Sequence, residues 1–348
     1  MDTIKKYLQE EVIYTGAVED LKDSRDFIYE DDVALGATTL VSDEEWLKGY
    51  DIEKVIGTKI PFKNQQQSYS CVAQAFSYYL AVLNTIETGK YDEVSAKAIY
   101  SQISIGHNAG AYLRDGAKLA VDWGALFEKD LRSYKENGTT DEDFMRDKTW
   151  ITPEITKMAQ VLASKEYKTI KNLTMDVFAS AIRDGKGMVA AVYGENNGTW
   201  FTNEPKPPVN QQWAHALFFG KFGTDEKGRY IATPNSWGTR NADNKHPDGW
   251  QRFYEEWFSF GGTNMFNPWV LIDKPNELDM KLLENLKKRS KYFFRPEARG
   301  EAYKIFDDNS VKYLNATKCD LFTEMTKDGT LTPVSEKDFN SVKGALKV

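Results

Sequence analysis

The chain has 348 residues, 41% hydrophobic and 13% aromatic, and its 52 acidic side chains against 45 basic ones leave a net charge of −7. That apolar load excludes a disordered chain, and the length exceeds one ordinary domain, so a main globular unit plus an appendage is expected. The acidic balance argues against nucleic acid as a partner, because phosphate contacts need clustered Lys and Arg; the one dense basic run, Lys287-Lys288-Arg289-Ser290-Lys291, reads as a solvated helix end.

Residues 1–55 read as an acidic, mixed lead-in. Its start, Met1-Asp2-Thr3-Ile4-Lys5-Lys6, has no apolar signal-peptide core, and no stretch approaches membrane-spanning length. A soluble protein without a membrane partner is expected, cytoplasmic or associated with a virus particle. Next comes Asn64-Gln65-Gln66-Gln67-Ser68-Tyr69-Ser70-Cys71, which places a glutamine amide six positions before a thiol. The thiol opens a helix whose face is Val72, Ala75, Phe76, Tyr79, Leu80, Leu83 and Ile86, with Gly89 as its stop. A thiol at a helix N-terminus meets the positive end of the helix dipole, which favours the nucleophilic thiolate. A free cysteine is as commonly a small buried hydrophobe, so Cys71 alone leaves both readings open.

Further along, Ser95 to Ile105 and Leu113 to Trp123 read as helices, and Met188-Val189-Ala190-Ala191-Val192-Tyr193 as a strand. The polar, proline-bearing loop from Glu195 to Gln212 either overhangs a site or is a surface insertion. It leads into Trp213-Ala214-His215-Ala216-Leu217-Phe218-Phe219-Gly220, an apolar strand that could hold an imidazole rigidly as a base. A base needs an orienting group, and Asn235-Ser236-Trp237-Gly238 offers one. Asp243, Asn244 and Asp248 follow as clustered oxygens, but their spacing fits no calcium loop, so neither a metal nor a cofactor is expected.

Taken together, these segments resemble the papain-like cysteine peptidases, whose chain order is glutamine, cysteine, histidine, asparagine. Asn64-Gln65, Ser70-Cys71 and His215-Ala216 match the family's motifs, Asn235-Ser236-Trp237-Gly238 is its Asn-Ser-Trp-Gly intact, and Gly249-Trp250-Gln251-Arg252-Phe253 is similar to the strand that follows. His215 and Asn235 follow Cys71 by 144 and 164 positions, the excess fitting a longer hairpin around Thr224-Asp225-Glu226-Lys227-Gly228. The resemblance implies Cys71 as nucleophile, His215 as base and then acid, Asn235 as orienter of the imidazole, and Gln65 as oxyanion donor beside the Cys71 N–H. It implies Trp237 as a shield over the His215–Asn235 hydrogen bond and, with Gly110 in Asn108–Gly116, as part of the substrate-binding surface. The implied fold is α+β: a helical half, an antiparallel barrel-like half and a cleft between them, assigned to residues 56–275. Asp23-Ser24-Arg25-Asp26-Phe27 resembles the run that precedes the catalytic domain in bacterial members, and the lead-in is too short for the long helical inhibitory propeptide of animal and plant enzymes.

Departures stand beside the matches. Ser68 replaces a usual disulfide cysteine, Tyr69 a glycine, Val72 a tryptophan, and Ala214 the Asp or Asn often found before the histidine. Cys71 and Cys319 are the only cysteines, so a free nucleophile leaves no structural disulfide and points to a reducing compartment or to a fold that does without disulfides. After Pro275, Glu277 to Lys291 reads as an amphipathic helix, and Ala302–Phe306 with Ser310–Leu314 as a hairpin. This appendage, residues 276–348, is expected to dock on its own catalytic domain or on a protein partner. The expected activity is thiol-dependent hydrolysis of a peptide or protein substrate. Two alternatives remain: a silent papain-fold binding or structural protein in a surface or virus-particle assembly, and a peptidase of peptidoglycan cross-bridges.

Overall fold

The helix Cys71–Thr88 is the axis around which the main unit packs: every residue from Cys71 to Thr85 is buried. The sequence pattern assigns it one apolar face, yet Tyr78, Ala81 and Val82 on the other faces are buried as well. Only a helix enclosed on all sides does this. It ends where expected, at Gly89, whose φ of 73° is left-handed and whose N–H donates to Thr85 O at 2.8 Å. The computed structural model describes residues 14–36, 38–238, 245–258 and 264–272, and the course of four strands at 292–294, 301–305, 311–315 and 331–333. It divides into two units, residues 1–33 with 38–271 and residues 34–37 with 272–348.

In the first unit the Cys71 helix packs against the helices Ala96–Ile103 and Leu113–Asp122. Ser95 caps the former, its Oγ accepting from Ala98 N–H at 3.1 Å. Gly116 sets the approach of the latter, since a Cβ there would lie 2.5 Å from the Phe76 ring. The other side of the Cys71 helix meets the strand Trp213–Phe219, with Phe218 against Tyr78 and Tyr79. That strand pairs antiparallel with Met188–Gly194, His215 opposite Val192, in a four-stranded sheet completed by Met265–Ile272 and Glu166–Thr169.

At Gly220 the chain passes into a second four-stranded sheet, Tyr50–Asp51, Lys221–Asp225, Gly228–Thr233 and Gln251–Tyr254. Its hairpin turns between Asp225 and Gly228, the place the excess spacing indicated. Neither sheet closes into a barrel among the described residues, so the β half is two open sheets. Lys221 anchors their junction, its buried Nζ donating to Glu53 at 2.7 Å and Asp248 at 2.9 Å. Asp248 is thus engaged in an ion pair, while Asp243 and Asn244 lie outside the described residues.

Residues 14–33 of the lead-in are built into this unit. Ala17–Val18 pairs in parallel with Ala111–Tyr112 and lies against the Trp213–Phe219 strand, between the helical and the β-rich parts. Asp20 accepts from the N–H of Arg114 at 3.0 Å and from Trp269 Nε1 at 2.8 Å, and the Arg114 side chain forms an ion pair with Asp26.

The second unit contains a four-stranded sheet in the order Val311–Asn315, Glu301–Ile305, Tyr292–Phe294, Leu331–Pro333. Its first two strands pair antiparallel, Tyr303 opposite Tyr313, which is the hairpin read from the sequence. The helix assigned to Glu277–Lys291, the basic run within it, and Cys319 lie outside the described residues.

Candidate active site

Cys71 is the first residue of its helix, and the turn before it is tied by a hydroxyl pair, Ser68 Oγ to Ser70 Oγ at 2.7 Å. Converging N–H groups and the helix dipole favour a thiolate here. Dehydration outweighs them. Cys71 is 0% exposed, and burial pushes its thiol up to about 11 against the backbone N–H groups of Ala216, Gly16 and Val72, which pull it down. The lowered thiol pKa expected from the sequence is therefore reversed in this form, because the chain itself covers the sulfur: the Gly16 N–H donates to Sγ at 3.2 Å.

His215, also 0% exposed, hydrogen-bonds Asn235, with 2.8 Å between Nε2 and Oδ1. The Ser236 N–H donates to the same Asn235 atom at 2.6 Å, which identifies that atom as the oxygen. The imidazole then carries its proton on Nε2 and leaves a lone pair on Nδ1. Nδ1 has no hydrogen-bond partner among the described residues. Desolvation lowers the His215 pKa to about 4, outweighing the Asn235 hydrogen bond that raises it. The Trp237 ring lies on the imidazole, centroids 4.3 Å apart and planes 22° from parallel. Asn235 has φ of 56°, a left-handed conformation that asparagine tolerates better than most residues, and its carbonyl accepts from Tyr78 OH at 3.0 Å. The helix carrying the thiol thus also fixes the turn carrying the amide.

Gln65 is held from both ends. Its Oε1 accepts from Ser236 Oγ at 2.7 Å, leaving Nε2 to donate to Ser68 O at 3.0 Å and to Tyr14 O at 2.7 Å. A main-chain carbonyl therefore occupies the donor that the resemblance assigns to an oxyanion. Two residues on, Gly16 O accepts from Ala111 N at 2.8 Å. Gly110, at φ of 74°, leaves room for this contact, since a Cβ there would lie 2.0 Å from Gly16 O. The segment Tyr14–Val18 thus runs through the site as an extended peptide, touching Gln65, Cys71 and the strip at Gly110.

No family model matches the sequence, and no curated protein matches it. Solved structures do. Xylellain, a cysteine protease from Xylella fastidiosa, is similar over 74% of this chain and 96% of its own, with 20% identity and a TM-score of 0.57. The ragweed pollen allergen Amb a 11, a cysteine protease in its proform, is similar in two crystal structures. One covers 68% of this chain and 66% of that one, with 18% identity and a TM-score of 0.51. The other covers 72% and 71%, with 17% identity and a TM-score of 0.53. The chain has the papain-like fold.

Within this papain-like frame the structure also uses residues that the sequence did not single out. Ser236 orients Gln65 through its hydroxyl and Asn235 through its N–H. Gln251 receives Asn235 Nδ2 at 2.7 Å. The loop Glu195–Gln212 is no loose insertion: Trp200 is buried against Trp213, Trp237 and Trp257. The sequence carried no signal for Gln251 beyond an amide between Trp250 and Arg252, in the strand after the Asn-Ser-Trp-Gly run. Among the described residues no group of three or more His, Cys, Asp or Glu side chains could hold a metal ion, and no helix is long and apolar enough to cross a membrane.

Proposed function

We propose that this chain is a thiol-dependent peptidase held at rest by its own residues 14–18. The observation that carries the reading is the occupant: an extended main chain already lies in the site, one carbonyl on Gln65 Nε2 and one N–H on Cys71 Sγ. Such a site recognises peptide backbone. With a substrate in place of this segment, His215 Nδ1 takes the thiol proton and Cys71 Sγ bonds to the substrate carbonyl carbon. Gln65 Nε2 and the Cys71 N–H receive the oxyanion. The C–N bond then breaks as the imidazolium returns the proton to the leaving amine, and water releases the acyl group.

The bound segment is not cut in this arrangement, because Sγ faces an N–H rather than a carbonyl carbon. It also explains the neutral thiol and the neutral imidazole: both are dehydrated, and neither has a charged partner among the described residues. Displacing the segment restores water and the ion pair. The test uses a generic fluorogenic peptide and an epoxide label on the parent, on Gly16→Ala and on each with Cys71→Ala. Hydrolysis and labelling that both vanish with Cys71→Ala are expected. A Gly16→Ala protein that takes the label at Cys71 but cleaves no peptide would favour the silent binding protein.

A further inference from the structure

Gln251 opens the strand Gln251–Tyr254, is 4% exposed, and sits at the end of a chain of hydrogen bonds that begins at the imidazole. His215 Nε2–H donates to Asn235 Oδ1 at 2.8 Å, and Asn235 Nδ2 donates to Gln251 Oε1 at 2.7 Å. Gln251 Nε2 then donates to two carbonyls, Trp200 O at 2.9 Å and Thr202 O at 2.8 Å. Carbonyl oxygens only accept, so the Gln251 atom facing them has to be its nitrogen. Its oxygen must then face Asn235, whose nitrogen must turn toward it and whose oxygen toward the ring. Backbone groups fix the order at both ends, the Trp200 and Thr202 carbonyls at one and the Ser236 N–H at the other.

We infer that Gln251 is a positioning residue. It aims the Asn235 amide, and through it selects the His215 tautomer with the proton on Nε2 and the lone pair on Nδ1. It touches no reacting atom and acts only through Asn235. It also links the turn Thr199–Phe201 to the imidazole, so a shift of that turn reaches the base through two amides. An apolar residue at 251 would leave Asn235 Nδ2 buried without an acceptor, and would leave the Ser236 N–H as the one remaining group aiming the amide. This deepens the peptidase reading and rests on it for the meaning of turnover, but its main readout needs no turnover.

The experiment uses the full chain with ¹⁵N-histidine. Because the chain has three histidines, the His215 resonances can be assigned by single substitution. In the parent, Nε2 should read as protonated and Nδ1 as unprotonated, with slow exchange of the Nε2 proton. Gln251→Met keeps length and volume; it should speed that exchange by roughly tenfold and mix the tautomers, because one buried hydrogen bond in the chain is lost. Gln251→Glu is the second variant. Its carboxylate repels the two carbonyls when ionised, whereas its protonated form can donate to one of them and still accept from Asn235. It should therefore show the parental signature at about pH 5 and lose it by about pH 8.

In a Gly16→Ala background, Gln251→Met should lower kcat about five- to tenfold with KM nearly unchanged, as expected for one lost orienting hydrogen bond. The same change added to Asn235→Gly, which fits the left-handed backbone, should cost nothing further. A folded Gln251→Met protein with the parental His215 signature would overturn the inference, as would an equal loss of kcat with and without the Asn235 side chain. If the signature changes as stated and no variant cleaves peptide, the positioning role stands and the peptidase reading falls.

Discussion

His215 is a histidine kept neutral by dryness. Its pKa lies near 4 in the folded chain against 6.5 when free, because the loss of water outweighs the Asn235 hydrogen bond. Between those values an unfolded chain binds a proton that the folded chain refuses. The stability involved is fully present above pH 6.5 and is lost as pH falls through about 4, about 3 kcal/mol in all. The parent should therefore lose more denaturant resistance between neutral pH and pH 4 than His215→Phe, which cannot take up that proton; equal losses would contradict the assignment. Gln65 and Gln66 separate on the same scale. In the Gly16→Ala background, where Gln65 no longer holds Tyr14 O, Gln65→Ala should cut the catalytic rate on the order of 10²–10³-fold with little change in KM, since it removes a donor aimed where charge develops. Gln66 instead pins the neighbouring loop, donating to Gly138 O at 3.0 Å and accepting from Thr140 N at 2.8 Å. Gln66→Ala should lower stability by about 1–2 kcal/mol and leave the rate nearly intact, which a denaturation curve and one substrate assay would settle. Gln65, Cys71, His215 and Asn235 were singled out by residue type, spacing and the papain-like resemblance, and the structure sets His215 against Asn235 and Gln65 against the neighbouring Ser236. Gln251 was not, because an amide two positions after a turn glycine has no meaning until Trp200 and Thr202 arrive from about fifty positions away.

At the scale of elements, the segment Tyr14–Val18 lies on Gln65, Cys71 and the strip at Gly110. It is held by backbone pairing to Ala111–Tyr112, by Asp20 on the start of the Leu113–Asp122 helix, and by the Arg114–Asp26 ion pair. Its tightest point is Gly16, where a Cβ would lie 2.1 Å from Tyr69 O. Gly16→Ala should therefore expel the segment and raise the alkylation rate of Cys71 by roughly tenfold or more, the overlap costing about 1–3 kcal/mol. A synthetic peptide of residues 14–20 added to that variant should restore protection. Equal alkylation of the parent and a folded Gly16→Ala protein would remove the segment from any inhibitory role. The helices Cys71–Thr88, Ala96–Ile103 and Leu113–Asp122 and the strands Met188–Gly194 and Trp213–Phe219 were readable from their apolar patterns, with Gly89 as the stop of the first, whereas the helix Met175–Gly185 was not read. The lead-in was not, since a short glycine-bearing stretch carries no periodicity, and its strand exists only because Ala111–Tyr112 offers a partner edge.

For the whole molecule, the hydrogen bonds of the site among the described residues all join residues of the first unit, 1–33 and 38–271. A chain ending at residue 272 should then keep the parental hydrolysis rate on a short peptide to within about twofold, as an independently packed unit would. A collapse of activity with the fold retained would assign residues 273–348 a part in the site. We propose that this second unit serves as a docking module, which binding measurements with and without it would test. The sequence by itself determined the helix that presents the thiol, the order of the polar residues and the apolar strands that bury them, because these follow from local periodicity and residue chemistry. Only the tertiary structure decided which amides aim the imidazole, what lies on the sulfur, and why thiol and imidazole are both neutral. Those depend on dehydration and on contacts such as Gly16 with Cys71, 55 positions apart, whose energies come into being only once the chain has closed on itself.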